Sequence, residues 1–282
     1  MLNRLCLVSF GDRAEWYAEA HLAILTALGR IPPPCEVVVA TDRPERYRWF
    51  GDRVRVEQLT PERIEEWSGP QRFVWRVVLK AIAQIARHPP SANLLYVDVD
   101  TLARRPLDDL FALLQSGDVF LDKKESRLCR RPEGDHRRLW KQVRGRTFLE
   151  FRIDEGTELW NSGVVALGAD NLHLVEKALA LCDAMTAAGV QNRLVEQLAQ
   201  SVVLQSTGRL REAAPWIDHY WGNKSRYDAA VHEQLATILV RGMTVEEAIE
   251  YVRDHPIRGP LRVKPRWWHR YLRSVHASGD KR

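Results

Sequence analysis

Asp98 and Asp100 are separated by a single valine and follow directly on the apolar run Leu94-Leu95-Tyr96-Val97. That run has the residue types of a buried strand. A carboxylate taken out of water is costly unless it is paired or bound to a cation. Two of them at one strand end can reach the same divalent ion where the chain turns. Oxygen ligation suits Mg²⁺ or Mn²⁺, and such ions are commonly shared with substrate phosphates. The first expectation is therefore a metal–diphosphate site on Asp98 and Asp100. The competing expectation is structural, with Asp100 capping the next turn and Asp98 paired with Arg104. Further on, the stretch HYWGNK offers His219 as an imidazole ligand, or as a ring packed beside Tyr220 and Trp221. In the same stretch Gly222 lets the backbone approach a phosphate closely, and Lys224 sets a point charge on it or is a surface lysine.

The elements that position these residues alternate in type. Residues 5–10, 37–40, 54–59, 94–97, 117–121 and 164–167 read as strands, and 16–28, 73–86, 107–114, 172–187, 194–204 and 243–252 as helices. Thr244 and Glu247 have the spacing of a capping box for the last of these. Residues 216–224 read as a compact aromatic loop. Strands separated by helices predict an α/β fold, with a mostly parallel, Rossmann-like central sheet flanked by helices. Ligands sit at the carboxyl ends of the strands in such sheets. Gly11, Asp42 and the Asp98/Asp100 pair all fall at predicted carboxyl ends. Asp42 is placed either to accept from a base or ribose or to cap the turn before Pro44.

The chain has 282 residues, enough for one large domain with an appendage. No apolar run approaches the roughly 20 residues of a membrane helix, and the first apolar stretch is too short for a signal peptide. Cys6, Cys35, Cys129 and Cys182 are far apart, which argues for free thiols rather than disulfides or a zinc site. A cytoplasmic location is expected, with the option of peripheral contact at the inner membrane surface. The net charge of +5 is unevenly spread. Residues 121–152 hold 11 basic and 5 acidic side chains, and residues 258–282 hold 8 and 1. Two basic segments on an acidic body suit an anionic partner, or else are solvated faces. Trp267-Trp268 in the second segment suits a membrane interface, a nucleic-acid backbone or plain packing. The expected division is residues 1–255 as the main domain and 256–282 as a basic aromatic extension.

The segment DVDTLARRPLDDLF resembles the DxD region of GT-A fold glycosyltransferases, above all the glycogenin-like retaining group. Three later stretches resemble that group in the same order. They are WNSGVVAL (160–167), like its strand beside the sugar; Glu196-Gln197, like its acidic–Gln pair; and HYWGNK (219–224), like its phosphate loop. The resemblance covers about residues 5–224. The chain departs from the pattern in a phosphate loop one residue shorter before Lys224, and in Glu196 where aspartate is commoner.

The resemblance implies a GT-A type fold and a metal-dependent transfer of sugar from a nucleotide diphosphate, most readily a UDP-sugar, with Mn²⁺ or Mg²⁺ as cofactor. It implies Asp98, Asp100 and His219 as metal ligands, and Glu196 and Gln197 with the two aspartates as catalytic residues. Phe10, Gly11, Asp42, Lys80, Val99, Asp122, Asn161, Ser162, Gly163, Gly222 and Lys224 would face the donor. For Lys80 the alternative is a solvent-facing helix position, and for Asn161-Ser162-Gly163 a turn. The expected acceptor is a hydroxyl on a glycan or lipid-linked saccharide. Hydroxylated DNA bases are the runner-up, through the basic segments. A nucleotide-sugar or nucleic-acid binder without turnover is the rival of another class. A nucleotidyltransferase is disfavoured, because SFGDRAEW after the first strand is not a glycine-rich phosphate loop.

Overall fold

The computed structural model describes residues 1–88, 91–130 and 133–258. Its frame is a seven-stranded sheet made of β1 (Asn3–Ser9), β2 (Cys35–Thr41), β3 (Arg55–Gln58), β4 (Asn93–Val97), β6 (Val119–Arg127), β9 (Glu158–Leu167) and β10 (Leu210–Glu212). Two short pairs lie outside it: β5 (Thr101–Ala103) with β11 (Ile217–His219), and β7 (Thr147–Phe148) with β8 (Phe151–Arg152). The spatial order is β10-β6-β9-β4-β1-β2-β3. Within it β9 runs against both neighbours and every other pairing is parallel. The chain is thus α/β with a mixed, mostly parallel, Rossmann-like sheet.

The helices are α1 (Ala14–Leu28), α2 (Pro61–Ser68), α3 (Trp75–Ala86), α4 (Asp108–Gln115), α5 (Gly134–Val143), α6 (His173–Ala187), α7 (Val195–Gln205), α8 (Lys224–Val240) and α9 (Val245–Asp254). They cover both faces of the sheet. Cys6, Val8, Val38 and Tyr96 point toward α3, α6 and α7. Leu5, Leu7, Val39 and Val97 point toward α1, α4, α8 and α9. Because the central strands are buried on both sides, they read as unbroken apolar runs. The expected capping box of α9 is present: Thr244 Oγ1 accepts from Glu247 N, and the Glu247 carboxylate accepts from Thr244 N. All four cysteines are free. Among the described residues, no helix is long and apolar enough to cross a membrane.

Some expectations are corrected. The strand expected at 164–167 begins at Glu158, so Asn161-Ser162-Gly163 is strand rather than turn. The strand expected at 117–121 continues to Arg127, carried through its charged half by pairing with β9. Residues 216–224 are not a loop: they contain β11, a short helical turn at Trp221–Asn223 and the start of α8. Helices α2, α5 and α8 were not expected. The extension from residue 259 onward, with Trp267-Trp268, and Arg131 of the first basic segment lie outside the described residues.

Candidate metal centre

Strand β4 ends at Val97, and the chain turns at once. Asp98 N donates to Gly163 O at 2.7 Å, which ties the turn to β9. Thr101 Oγ1 donates back to Asp98 O at 2.8 Å. The turn leads into β5, which pairs antiparallel with β11 and sets His219 opposite Thr101. Tyr220 N donates to Asp100 O at 3.1 Å and closes the pairing. Two three-residue strands therefore bring His219 to the aspartates.

His219 Nε2 lies 3.2 Å from Asp100 Oδ1 and 3.6 Å from Asp98 Oδ2. Ligand atoms from the three residues all fall within 4.8 Å of one another. Arg104 does not take part. It donates to Asp218 at 2.8 Å and to the Ile257 carbonyl, so the arginine-paired alternative for Asp98 is not what forms. Asp98 instead accepts from the Tyr96 hydroxyl.

The other edge of the His219 ring is also engaged. Nδ1 is 2.9 Å from Asn161 Oδ1 and 3.3 Å from Asp122 Oδ2. Asp122 sits where the β6–β9 register slips, between Leu121 and Lys123. A bulge of this kind re-aims a side chain, and the Asp122 side chain ends up 1% exposed beneath the ring. On β9, Gly163 makes room for the imidazole: a Cβ there would stand 2.0 Å from His219 Cε1. Lys224 opens α8 and places Nζ 3.2 Å from Asp100 Oδ2 and 2.8 Å from Glu19 Oε2 on α1.

Charge follows from this crowding. Burial works against a charged His219, but Asp100, Asp122 and Asp98 outweigh it and raise its pKa to about 10. Burial likewise opposes ionisation of Asp100, yet His219 and Lys224 hold it below the ordinary carboxylate value. For Asp98 burial prevails over the pull of His219, and its pKa is raised. Asp100 thus leans on a protonated ring and an ammonium, which is the role a divalent cation would fill.

The donor set fits such a cation. It offers two carboxylates and one imidazole, a combination that suits Mn²⁺ or Mg²⁺. Asp122 Oδ1 is buried with no hydrogen-bond partner among the described residues. His219 Nε2 faces both carboxylates at ion-pair distance, and the same nitrogen, once deprotonated, is the donor atom a cation between them would use.

Beside this centre lies a second group of expected residues. Glu196 and Gln197 open α7, both buried. Glu196 accepts from Ser162 Oγ at 3.4 Å and from Gln200 Nε2. Burial, with the charge of Asp98 adding to it, raises its pKa to about 8. Gln197 Nε2 is buried without a partner among the described residues.

The remaining expected residues are placed apart from these contacts. Gly11 has φ of 105° and donates its N–H to Asp42 Oδ2 at 3.1 Å, while Tyr17 donates to Asp42 Oδ1 at 2.8 Å. Asp42 therefore locks the ends of β1 and β2 together, rather than capping the turn before Pro44; Thr41 Oγ1 takes the Arg43 N–H there. Phe10 and Val99 are half-buried against the core. Lys80 is half-buried on α3 with no ion pair among the described residues. Gly222 lies in the short helical turn without a positive φ.

Sequence reasoning missed Glu19, Tyr96 and Glu125. Glu19 sits on the buried side of α1 among alanines and leucines, and a lone acid there was the available signal. Tyr96 reads as an ordinary apolar strand residue, and its hydroxyl contact with Asp98 has no signature. Glu125 lies in a run of charged residues and looks solvated.

The chain matches no known family model and no curated protein.

Proposed function

We propose that this chain is a metal-dependent glycosyltransferase of GT-A type, taking its sugar from a nucleotide diphosphate, by preference a UDP-sugar. The observation that carries the reading is the convergence of Asp98, Asp100 and His219 within 4.8 Å, with the Lys224 ammonium on the far oxygen of Asp100. Asp98, Asp100 and His219 would hold Mn²⁺ or Mg²⁺. When bound, the ion supplies positive charge against the negative charge that develops on a departing diphosphate. Lys224, with Nζ 3.2 Å from Asp100 Oδ2, would add a second positive charge against the same leaving group.

Breaking the bond from the anomeric carbon sends its electron pair to the diphosphate and leaves oxocarbenium character on the sugar. In this reading Glu196, at the start of α7, is the acid that would face that charge, in the ionised form it takes above about pH 8. The unpartnered amide of Gln197 is a donor for a sugar hydroxyl. Asn161 and Asp122 serve the centre from behind, through the His219 ring. A hydroxyl on a glycan or lipid-linked saccharide is the acceptor this reading favours.

The test is nucleoside diphosphate release from a panel of nucleotide sugars, run with and without Mn²⁺. Asp98→Ala and Asp100→Ala should each abolish metal-stimulated release while keeping the far-UV circular dichroism of the wild type. Full stimulated turnover in both variants would overturn the assignment. Binding of UDP and Mn²⁺ with no turnover on any donor would point to a binding protein.

A further inference from the structure

We infer that Glu125, acting through Asn161, is a positioning residue of the metal centre that fixes which ring nitrogen of His219 carries hydrogen. This rests on the metal reading proposed above.

Gly163 N is 2.9 Å from one side-chain atom of Asn161. A peptide N–H only donates, so that atom is the carbonyl oxygen, Oδ1. The same Oδ1 lies 2.9 Å from His219 Nδ1. An amide oxygen only accepts, so Nδ1 carries a hydrogen in every state that keeps this contact. In the neutral ring the lone pair is then on Nε2, the nitrogen that faces Asp100 and Asp98. Asp122 Oδ2 is a second acceptor on Nδ1, at 3.3 Å, and agrees with the assignment.

What stops the carboxamide from turning over is on its other side. Asn161 Nδ2 donates to Glu125 Oε1 at 3.1 Å. A reversed carboxamide would set its oxygen against that carboxylate and its N–H₂ against two donors. The Glu125 side chain is only 10% exposed, and its second oxygen is 2.9 Å from His136 Nε2 on α5. A hydrogen-bonded line therefore runs from α5 through Glu125 and Asn161 to the metal-facing ring. Groups in this outer position orient a ligand and commonly govern metal affinity by about 10–100-fold.

The experiment is Mn²⁺ titration of the full chain without nucleotide, followed by the loss of the free-ion EPR signal, on wild type, Glu125→Ala and Glu125→Gln. Glu125→Ala should weaken Mn²⁺ binding by about tenfold, and Glu125→Gln, which keeps an acceptor for Asn161, should restore most of it. In the Mg²⁺-loaded wild type, ¹H–¹⁵N spectra should show the Nδ1 hydrogen of His219 protected from exchange with water; Glu125→Ala should broaden or lose that signal. Wild-type affinity and an unchanged Nδ1–H signal in Glu125→Ala would overturn the role of Glu125 and leave the metal reading intact. No Mn²⁺ uptake by the wild type would overturn both. If Glu125→Ala does not fold, His136→Ala carries the test. It should weaken Mn²⁺ binding by about threefold or more, short of the full outer-shell loss; unchanged affinity would overturn the inference.

Discussion

His219 fits where it does because residue 163 has no side chain. A methyl group at Gly163 would meet Cε1 at 2.0 Å, far inside contact distance, so the ring must leave. Gly163→Ala should therefore weaken Mn²⁺ binding by about 100-fold, in line with the loss of an oriented ligand. The overpacking should also lower stability by about 1–3 kcal/mol, read from a denaturant titration. Glu196 gives a pH-dependent prediction at the same scale. Its pKa is 4.5 in an ordinary setting and about 8 in the fold, chiefly through burial. Below pH 4.5 the folded and unfolded chains both hold the proton, and nothing is lost. Between 4.5 and about 8 the unfolded chain releases it while the folded chain retains it, so stability falls as pH rises. Glu196→Gln removes the titration. Its melting temperature should gain on the metal-free wild type across that window and level off above it. A constant difference at all pH values would show that Glu196 ionises normally.

Helices α1 and α8 meet at the Glu19–Lys224 pair, at 2.8 Å, with the glutamate side chain 4% exposed and the lysine 36%. Glu19→Gln leaves the ammonium with Asp100 as its remaining acidic neighbour in the pair. The expected cost is about 1–3 kcal/mol, below that of a fully buried pair because water reaches Lys224. Glu19→Gln combined with Lys224→Met should cost less than the two single changes added together, as measured by thermal melts; strict additivity would mean that the pair is not coupled. The elements also show which parts of the site were legible in the sequence. Strands β1, β2 and β4 stood out because burial on both faces leaves continuous apolar runs, and the acids at the end of β4 stood out against them. β5 and β11 were not visible, since three residues give no period to read. The pairing that delivers His219 is therefore not legible in the chain, although His219 itself stands out as a candidate ligand in HYWGNK. Only the last four residues of β9 were visible, because Asn161, Ser162 and Gly163 break its apolar pattern while serving the site. Helix α8 buries only Tyr227, Val231 and Ile238 over 17 residues, too sparse a stripe to announce itself.

Across the whole molecule, the centre draws on β4, β6, β9, β11 and α8, so the proposed ion site exists only in the assembled fold. Anything that binds the folded chain alone raises its melting temperature by mass action. Mn²⁺ at a hundredfold excess over its dissociation constant should contribute about 2.7 kcal/mol, a shift of roughly 5–10 °C. Asp100→Ala should melt at a temperature independent of Mn²⁺. An equal rise in both proteins would place the ion elsewhere. The β5–β11 pair has one more consequence, for biosynthesis. A ribosome that has released residues 1–200 has delivered both aspartates, the strand with Gly163 and the α7 glutamate, but no imidazole. The nascent protein is then acidic at that corner and short of a ligand. If the centre binds an ion as proposed, capture is thereby deferred until the last quarter of translation, and a prematurely terminated product would lack the ligand set of the finished chain.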